Sequence, residues 1–461
     1  MSWLTLAVAL APENLLLLGI VVLLCNDIVA ARPRGAGAVS LVAVAFAAAA
    51  AFYLYAAGYF AEPFPGEFVT EPAGSLAKAL ILALAVPVLL LARDDAADNG
   101  AFHMLVLSSL YGACLLMSAD SFLTLFLGIE ILSLPVYVLV LMAQPRAQSL
   151  EAALKYLILG GTATATLLLG TALLYGTTAS LSLMSFAAAL STPEPMAIAA
   201  VVLVLIAFFL KAAVVPFHAW APDAYEGASV SVTAYMAVIV KAAVLLAALR
   251  LFGTASLALP YVDLVALLPL VSIVWGNLAA MRQKSFRRMI AYSSIAHAGY
   301  LFYAFLGDGP GRYEAVMFYV LAYGLMNLLA FAGLPSGGDD EDRDSLDRLK
   351  GLFQRNPFGA SMIALAMLSL AGIPPLPGFV AKFLVFKNVM AAGYTTYAVL
   401  GLVGSYLGIY FYLRVIQFMF MTPTGAAADA REVRGSAVAT CVVCLLPAIA
   451  IAVLPGLLIA R

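Results

Sequence analysis

The sequence predicts an all-α polytopic membrane protein of about fourteen transmembrane helices, and three observations carry that prediction. First, 64% of the 461 residues are hydrophobic and only 11% are charged, with a mean hydropathy of +1.03, a composition outside the soluble globular range. Second, apolar runs long enough to cross a bilayer, which takes about 20 residues, recur fourteen times. Third, lysine and arginine gather in every second loop between those runs.

The spans follow in order. Six centre on Leu15–Ala30, Ala36–Phe60, Leu76–Leu91, Ala101–Met117, Ser121–Met142 and Tyr156–Leu174. Eight more cover Ala197–Val215, Val230–Phe252, Leu264–Met281, Met289–Leu306, Ala315–Leu334, Phe358–Val389, Tyr394–Met421 and Ser436–Ala460. Ala9-Leu10-Ala11 imitates a signal-peptide cleavage site, but no positive residue precedes Arg32 and Pro12 would follow the cut, so the first segment reads as retained.

Basic residues in short loops set orientation. One side carries Arg32, Arg34, Arg93, Arg146, Lys155, Arg282, Lys284, Arg287, Arg288, Arg343, Arg348, Lys350, Arg355, Arg431 and Arg434, which is 15 of the 24 positive residues. The other has Arg250, Arg312 and Arg461, with Lys78 near a helix start and an acidic loop from Glu62 to Glu71. Both termini are therefore expected on the periplasmic side of a cell inner (plasma) membrane. The longest cytoplasmic loop, Ser336 to Asn356, mixes acids and bases as a solvated connector does and is too short for a soluble domain.

A formal net charge of −1 gives no basic excess for nucleic acid, which is excluded as a partner. Cys25, Cys114, Cys441 and Cys444 all lie in apolar stretches; the Cys-Val-Val-Cys pair reads as two small residues on one helix face, without the polar surroundings thiolates need. No loop holds a phosphate-cradling glycine motif, a ferredoxin-like cysteine set or a nucleophilic triad.

What remains is a set of charges inside apolar runs. Lys211 and Lys241 lie within the seventh and eighth spans, Glu130 at the centre of the fifth, Lys382 after a proline-broken run, and His297 and Arg414 inside the tenth and thirteenth. A charge near the bilayer centre costs about 2.5–3.5 kcal/mol on insertion scales, so such residues point to ion or proton pathways. Two spans are also interrupted: the seventh by Pro216, His218 and Pro222, the twelfth by Gly372-Ile373-Pro374-Pro375-Leu376-Pro377-Gly378. Non-helical backbone at membrane depth persists only inside protein or along a hydrated cavity, and paired broken helices mark transport sites.

The breaks are five helices apart, an odd offset that reverses direction, so spans 4–8 and 9–13 read as inverted repeats. The chain then reads as one membrane domain over 1–461: three helices in 1–100, a first repeat in 101–255, a second in 256–422 and a C-terminal helix in 423–461. Lys211 maps to Lys382, Lys241 to Arg414 and Glu130 to His297. Proton relay needs groups whose proton affinity can be toggled, and a carboxylate that approaches and leaves a buried lysine does this. His218 and His297 can bridge intermediate steps. Against these readings, Lys78, Lys387 and Arg250 read as side chains snorkelling from helix ends. Arg414 reads equally as an anchor or a relay group, and His297 also fits a packing histidine.

Three motifs resemble one family, the antiporter-like membrane subunits of respiratory complex I with their relatives in multisubunit cation/proton antiporters and membrane-bound hydrogenases. They are Gly128-Ile129-Glu130-Ile131-Leu132-Ser133-Leu134-Pro135; Lys211 with Pro216 through Ala228; and Arg288 through Tyr300. The Gly372–Gly378 break with Phe379 and Lys382 completes the pattern, which spans nearly the whole chain. Lysine at 382 resembles members lacking the glutamate typical of a sister subunit, Pro12-Glu13-Asn14 resembles the start of those members, and the end at Arg461 leaves no room for the lateral helix of the largest sister. The resemblance implies a modulating pair (Glu130, Lys211), a central relay (Lys241), a terminal proton-exchange group (Lys382) and a hydrated polar axis along the midplane. It implies a non-redox subunit of a proton-translocating NADH:quinone oxidoreductase that binds no cofactor. NADH, FMN, iron–sulfur clusters and quinone are expected in partner subunits, and sister antiporter-like and small membrane subunits are expected to flank the chain in the lipid bilayer.

Two other functions fit the same residues. One is a subunit of a cation/proton antiporter or membrane-bound hydrogenase, which its partners would reveal. The other is a scaffold whose charges only glue helices together, for which removing Lys241 would leave transport unchanged.

Overall fold

A computed structural model describes residues 3–29, 35–93, 99–142, 147–190, 194–253, 255–307, 309–335, 345–421 and 435–456. Arg32, Arg34, Arg146, Arg343, Arg431, Arg434, Arg461 and the acidic run 339–342 lie outside the described residues.

Among the described residues, thirteen helices are long and apolar enough to cross a membrane, and a shorter apolar helix, Pro357–Ala371, accompanies them. They are α1 (Ala11–Val29), α2 (Ala36–Ala56), α3 (Pro72–Ala92), α4 (Gly100–Ser118), α5 (Phe122–Met142), α6 (Ala147–Thr178) and α7a (Pro195–Ala212). After α7b (Trp220–Gly227) come α8 (Val230–Phe252), α9 (Leu259–Ala280), α10 (Phe286–Tyr303), α11 (Gly309–Ala332), α12a (Pro357–Ala371), α12b (Pro377–Ala391), α13 (Thr395–Phe420) and α14 (Gly435–Val453). The twelfth span, one apolar run in sequence, is two 15-residue helices. With it the fourteen expected spans are complete.

Helix ends follow local chemistry. Asn99, Ser229, Ser285 and Asn356 cap α4, α8, α10 and α12a, each side chain accepting from a backbone N–H in the first turn. Gly372 ends α12a in the left-handed region (φ +88°), and Pro377 opens α12b in its first turn. The Val215–Pro216 and Pro374–Pro375 peptides are cis, one in each break.

The helices form two compact units. The first comprises Met1–Leu89, Ala96–Lys211 and Ile239–Ala258. In it α4 and α5 touch so closely that a Cβ on Gly112 would lie 2.3 Å from the Leu132 nitrogen, and Ser109 Oγ donates to the Leu132 carbonyl at 2.7 Å. Small residues permit this approach, which places α4 beside the turn bearing Glu130. The acidic loop before α3 folds as an antiparallel hairpin, β1 (Ala61–Phe64) with β2 (Phe68–Thr70). It brings Glu67 to Ser121 and Thr124 at the N-terminus of α5, where a carboxylate meets the positive end of the helix.

The second unit comprises Leu90–Asp95, Ala212–Val238 and Leu259–Arg461. Here α9 and α10 pack backbone to backbone; a Cβ on Gly276 would lie 2.7 Å from the Ala296 nitrogen, and one on Gly299 2.6 Å from the Pro269 carbonyl. α10 and α11 are almost wholly buried, so their polar side chains must find partners within protein.

Candidate functional site

In the first unit, Glu130 sits mid-way along α5 and Lys211 in the last turn of α7a. Lys211 Nζ lies 3.5 Å from Glu130 Oε1 and donates to Ser133 Oγ at 3.4 Å. Thr164 of α6, whose hydroxyl also reaches the Gly160 carbonyl, donates to the same Glu130 oxygen. One carboxylate oxygen therefore meets both a cation and a neutral donor. Lys241 follows a π-helical turn, Met236–Val240, and is buried in α8, a helix enclosed in protein along its length. Single π turns inside α-helices recur at functional sites.

In the second unit, His218 lies within the α7 break. The Trp275 indole N–H donates to its Nε2 at 3.1 Å, and its Nδ1 is 3.3 Å from the Pro216 carbonyl. An indole is only a donor, so Nε2 must accept and the proton sits on Nδ1, donating to Pro216. Taking up a second proton would require Trp275 to move away. The Ser272 hydroxyl, also on α9, receives the Val215 N–H at 2.6 Å.

His297 of α10 is buried between two phenols. Its Nδ1 is 2.7 Å from the Tyr319 hydroxyl on α11 and its Nε2 is 3.1 Å from the Tyr412 hydroxyl on α13. Tyr412 continues to Ser293 Oγ at 2.6 Å. The His297 ring also meets those of Tyr300 and Tyr323 at 5.5 and 4.8 Å. Lys382 of α12b is buried with its ammonium 5.0 Å above the Tyr300 ring. It donates to the Ala371 carbonyl at 3.1 Å and to Ser405 Oγ at 3.0 Å. Ala371 is the last residue of α12a, so the lysine serves an orphan carbonyl at the negative end of that helix. A cavity of about 520 Å³, lined chiefly by Phe379, Phe383, Phe386, Leu402 and Tyr406, opens beside it.

A family model for the transmembrane subunits of NADH:quinone oxidoreductase and Mrp antiporters matches residues 119–408. The chain belongs to this family. NADH-quinone oxidoreductase subunit N of Pelobacter propionicus is 40% identical over 434 residues, covering 94% of this chain and 91% of that one. Subunit N of Laribacter hongkongensis is 35% identical over 94% of this chain and 92% of its own. Among solved structures, a chain of respiratory complex I from Thermus thermophilus superposes with a TM-score of 0.83 at 34% identity, covering 98% of this chain and 99% of that one. A chain of the Mrp complex from Dietzia sp. shares the fold, with a TM-score of 0.84, 22% identity and coverage of 99% and 96%.

In this antiporter-family chain the two broken-helix lysines stand on opposite sides of their breaks. Lys211 precedes Pro216 by one turn, whereas Lys382 follows Pro375 by two. The two lysines therefore differ in their position relative to the break.

One expectation needs correction. Lys78 does not snorkel: it is fully buried and pairs with buried Glu13 at 2.6 Å, its ammonium 5.1 Å from the Phe68 ring centroid. Arg250, in the last turn of α8, binds Glu71 and the Ala119 carbonyl and lies 3.9 Å from Asp120. Lys387 is exposed on α12b, as a snorkelling residue would be. Arg414 donates to the Met281 carbonyl at 2.6 Å, just past the end of α9, which is the work of an anchor. Cys441 and Cys444 are buried free thiols on α14.

Proposed function

We propose that this chain is the proton-translocating, antiporter-like subunit N of an NADH-quinone oxidoreductase, a non-redox part of a translocase whose NADH, FMN, iron–sulfur clusters and quinone belong to partner subunits. The observation that carries the reading is the half-buried Lys211–Glu130 ion pair at the α7 break, in a family member 40% identical to a subunit N over 94% of its length. Glu130 and Lys211 act as the modulating pair: when the carboxylate is near, the ammonium is stabilised, and when it withdraws, the buried lysine sheds its proton. Lys241 is the central relay, His218 and His297 serve intermediate transfers, and Lys382 is the terminal exchange group. Spans 4–8 and 9–13 act as inverted repeats, and the chain sits in the inner membrane with both termini periplasmic. Sister antiporter-like subunits and small membrane subunits flank it. Relatives at 35–40% identity carrying the subunit N name favour this assignment over a cation antiporter, since the 22% likeness to the Mrp chain speaks only to the fold.

The test is Lys241→Ala in the assembled complex, reading protons moved per electron pair. A sharp fall with assembly intact is expected, because the substitution deletes a switchable charge. Unchanged pumping would sink the relay in favour of a scaffold. Mass spectrometry of the gently solubilised complex checks the assignment independently: flavin and iron–sulfur subunits support it, and a set of small antiporter subunits alone refutes it.

A further inference from the structure

His297 is held so that either ring nitrogen can carry its proton without loss of a hydrogen bond. We propose that it works as a tautomeric proton switch, with Tyr319 as the entry hydroxyl and Tyr412 with Ser293 as the exit. This rests on the proton-translocating reading above and adds three residues to it.

A neutral imidazole has one donor and one acceptor nitrogen, while a hydroxyl both donates and accepts. The four groups form one chain: Tyr319 hydroxyl, Nδ1, Nε2, Tyr412 hydroxyl and Ser293 hydroxyl, with successive separations of 2.7, 3.1 and 2.6 Å across the three hydrogen bonds. Two arrangements satisfy every member. In one, Tyr319 donates to Nδ1, Nε2–H donates to Tyr412, and Tyr412 donates to Ser293. In the other, all three bonds are reversed.

Passage between them moves one proton and no electrons. A proton delivered by water to the Tyr319 oxygen lets that hydroxyl release its own proton, so an O–H bond breaks as an Nδ1–H bond forms. The Nε2–H bond breaks and its proton joins the Tyr412 oxygen. Tyr412 gives its former proton to Ser293 Oγ, and Ser293 gives its own to water. Each oxygen ends neutral and the ring has changed tautomer. Rotation of the hydroxyls and return of the ring tautomer reset the chain. The displacement runs from α11 through α10 to α13 and back to α10 one turn nearer Arg287 and Arg288.

The geometry separates these hydroxyls from the aromatic packing around them. Tyr323 also lies against His297, but its contact is ring to ring at 4.8 Å, so removing its hydroxyl leaves the chain of four intact. A packing histidine needs neither two phenols on opposite nitrogens nor a further hydroxyl beyond one of them.

The experiment compares Tyr412→Phe, Tyr319→Phe, Ser293→Ala and the control Tyr323→Phe in the whole complex, with Lys241→Ala in parallel. Protons per electron pair and the solvent deuterium isotope effect on pumping are read for each. Losing a relay hydroxyl should slow pumping about a hundredfold or more, the low side of what a positioned proton-transfer group contributes. It should also change the isotope effect, which a mere packing defect would not; Tyr323→Phe should stay near wild type. Normal pumping by Tyr412→Phe and Tyr319→Phe while Lys241→Ala fails would overturn the switch and leave the broader reading standing. Normal pumping by all of them would overturn both. If Tyr412→Phe does not assemble, Ser293→Ala, which removes one buried oxygen, decides: unaltered pumping and isotope effect refute the exit route.

Discussion

The Glu130–Lys211 pair gives the sharpest quantitative expectation, because two substitutions at 130 should separate charge from distance. At 3.5 Å and an effective dielectric of about 20, the attraction is about 4.7 kcal/mol. Glu130→Asp keeps the charge but withdraws it by one methylene, to about 5 Å, where the same relation gives about 3.3 kcal/mol. The difference, about 1.4 kcal/mol, is about a tenfold change in the balance between the held and released states of the lysine proton. Glu130→Gln removes the charge altogether while preserving the shape and a carbonyl for the Thr164 hydroxyl. It should therefore be worse than aspartate, although much of the helix packing survives. NADH-driven acidification of inverted membrane vesicles gives the pumping rate, with ferricyanide reduction and native gels controlling for redox activity and assembly. The expected order is glutamate, then aspartate, then glutamine, with the last nearly silent. Equal pumping by aspartate and glutamine, or wild-type stoichiometry in glutamine, would refute the reasoning.

Two further outcomes follow from local geometry. Gly372→Ala places a side chain at φ +88° and 3.1 Å from Lys382 Cδ; it should destabilise the α12 break by about 1 kcal/mol or more and lower the thermal midpoint of the purified complex. At the Glu13–Lys78 pair, either Glu13→Gln or Lys78→Met alone should reduce assembly, since a lone buried charge costs about 3–5 kcal/mol, whereas the double variant should recover toward wild type; assembled complex on native gels measures both.

Much of this site can be read from sequence because the bilayer makes a charge conspicuous. Lys211, Lys241 and Lys382 stand out against runs of alanine, valine and phenylalanine, and the prolines that break two spans stand beside the first and last of them. Residues of ordinary character could not be found this way. Thr164, Tyr319, Tyr412 and Ser293 are unremarkable in membrane helices, and only the packing of α5 on α6, or of α10 on α11 and α13, turns them into partners. Glu13 and Lys78 lay within reach of the same logic, since both are charges at apolar helix ends, but snorkelling is the cheaper assumption until a partner 65 positions away is visible. The Glu67 hairpin was hidden because nothing in an acidic loop shows which helix N-terminus it covers.

Lys382 closes the end of α12a as well as carrying charge. A neutral amine there can still offer a hydrogen bond to the Ala371 carbonyl, but it no longer sets a full positive charge against the negative pole of the helix. If Lys382 is the proposed exchange group, each departure of a proton from it would slacken a latch between the two halves of the twelfth span, and each arrival would tighten it. Proton load and backbone posture would then be two readings of one coordinate. A spectroscopic label on either half of that span would report the chemical state of the relay without touching any group that carries a proton.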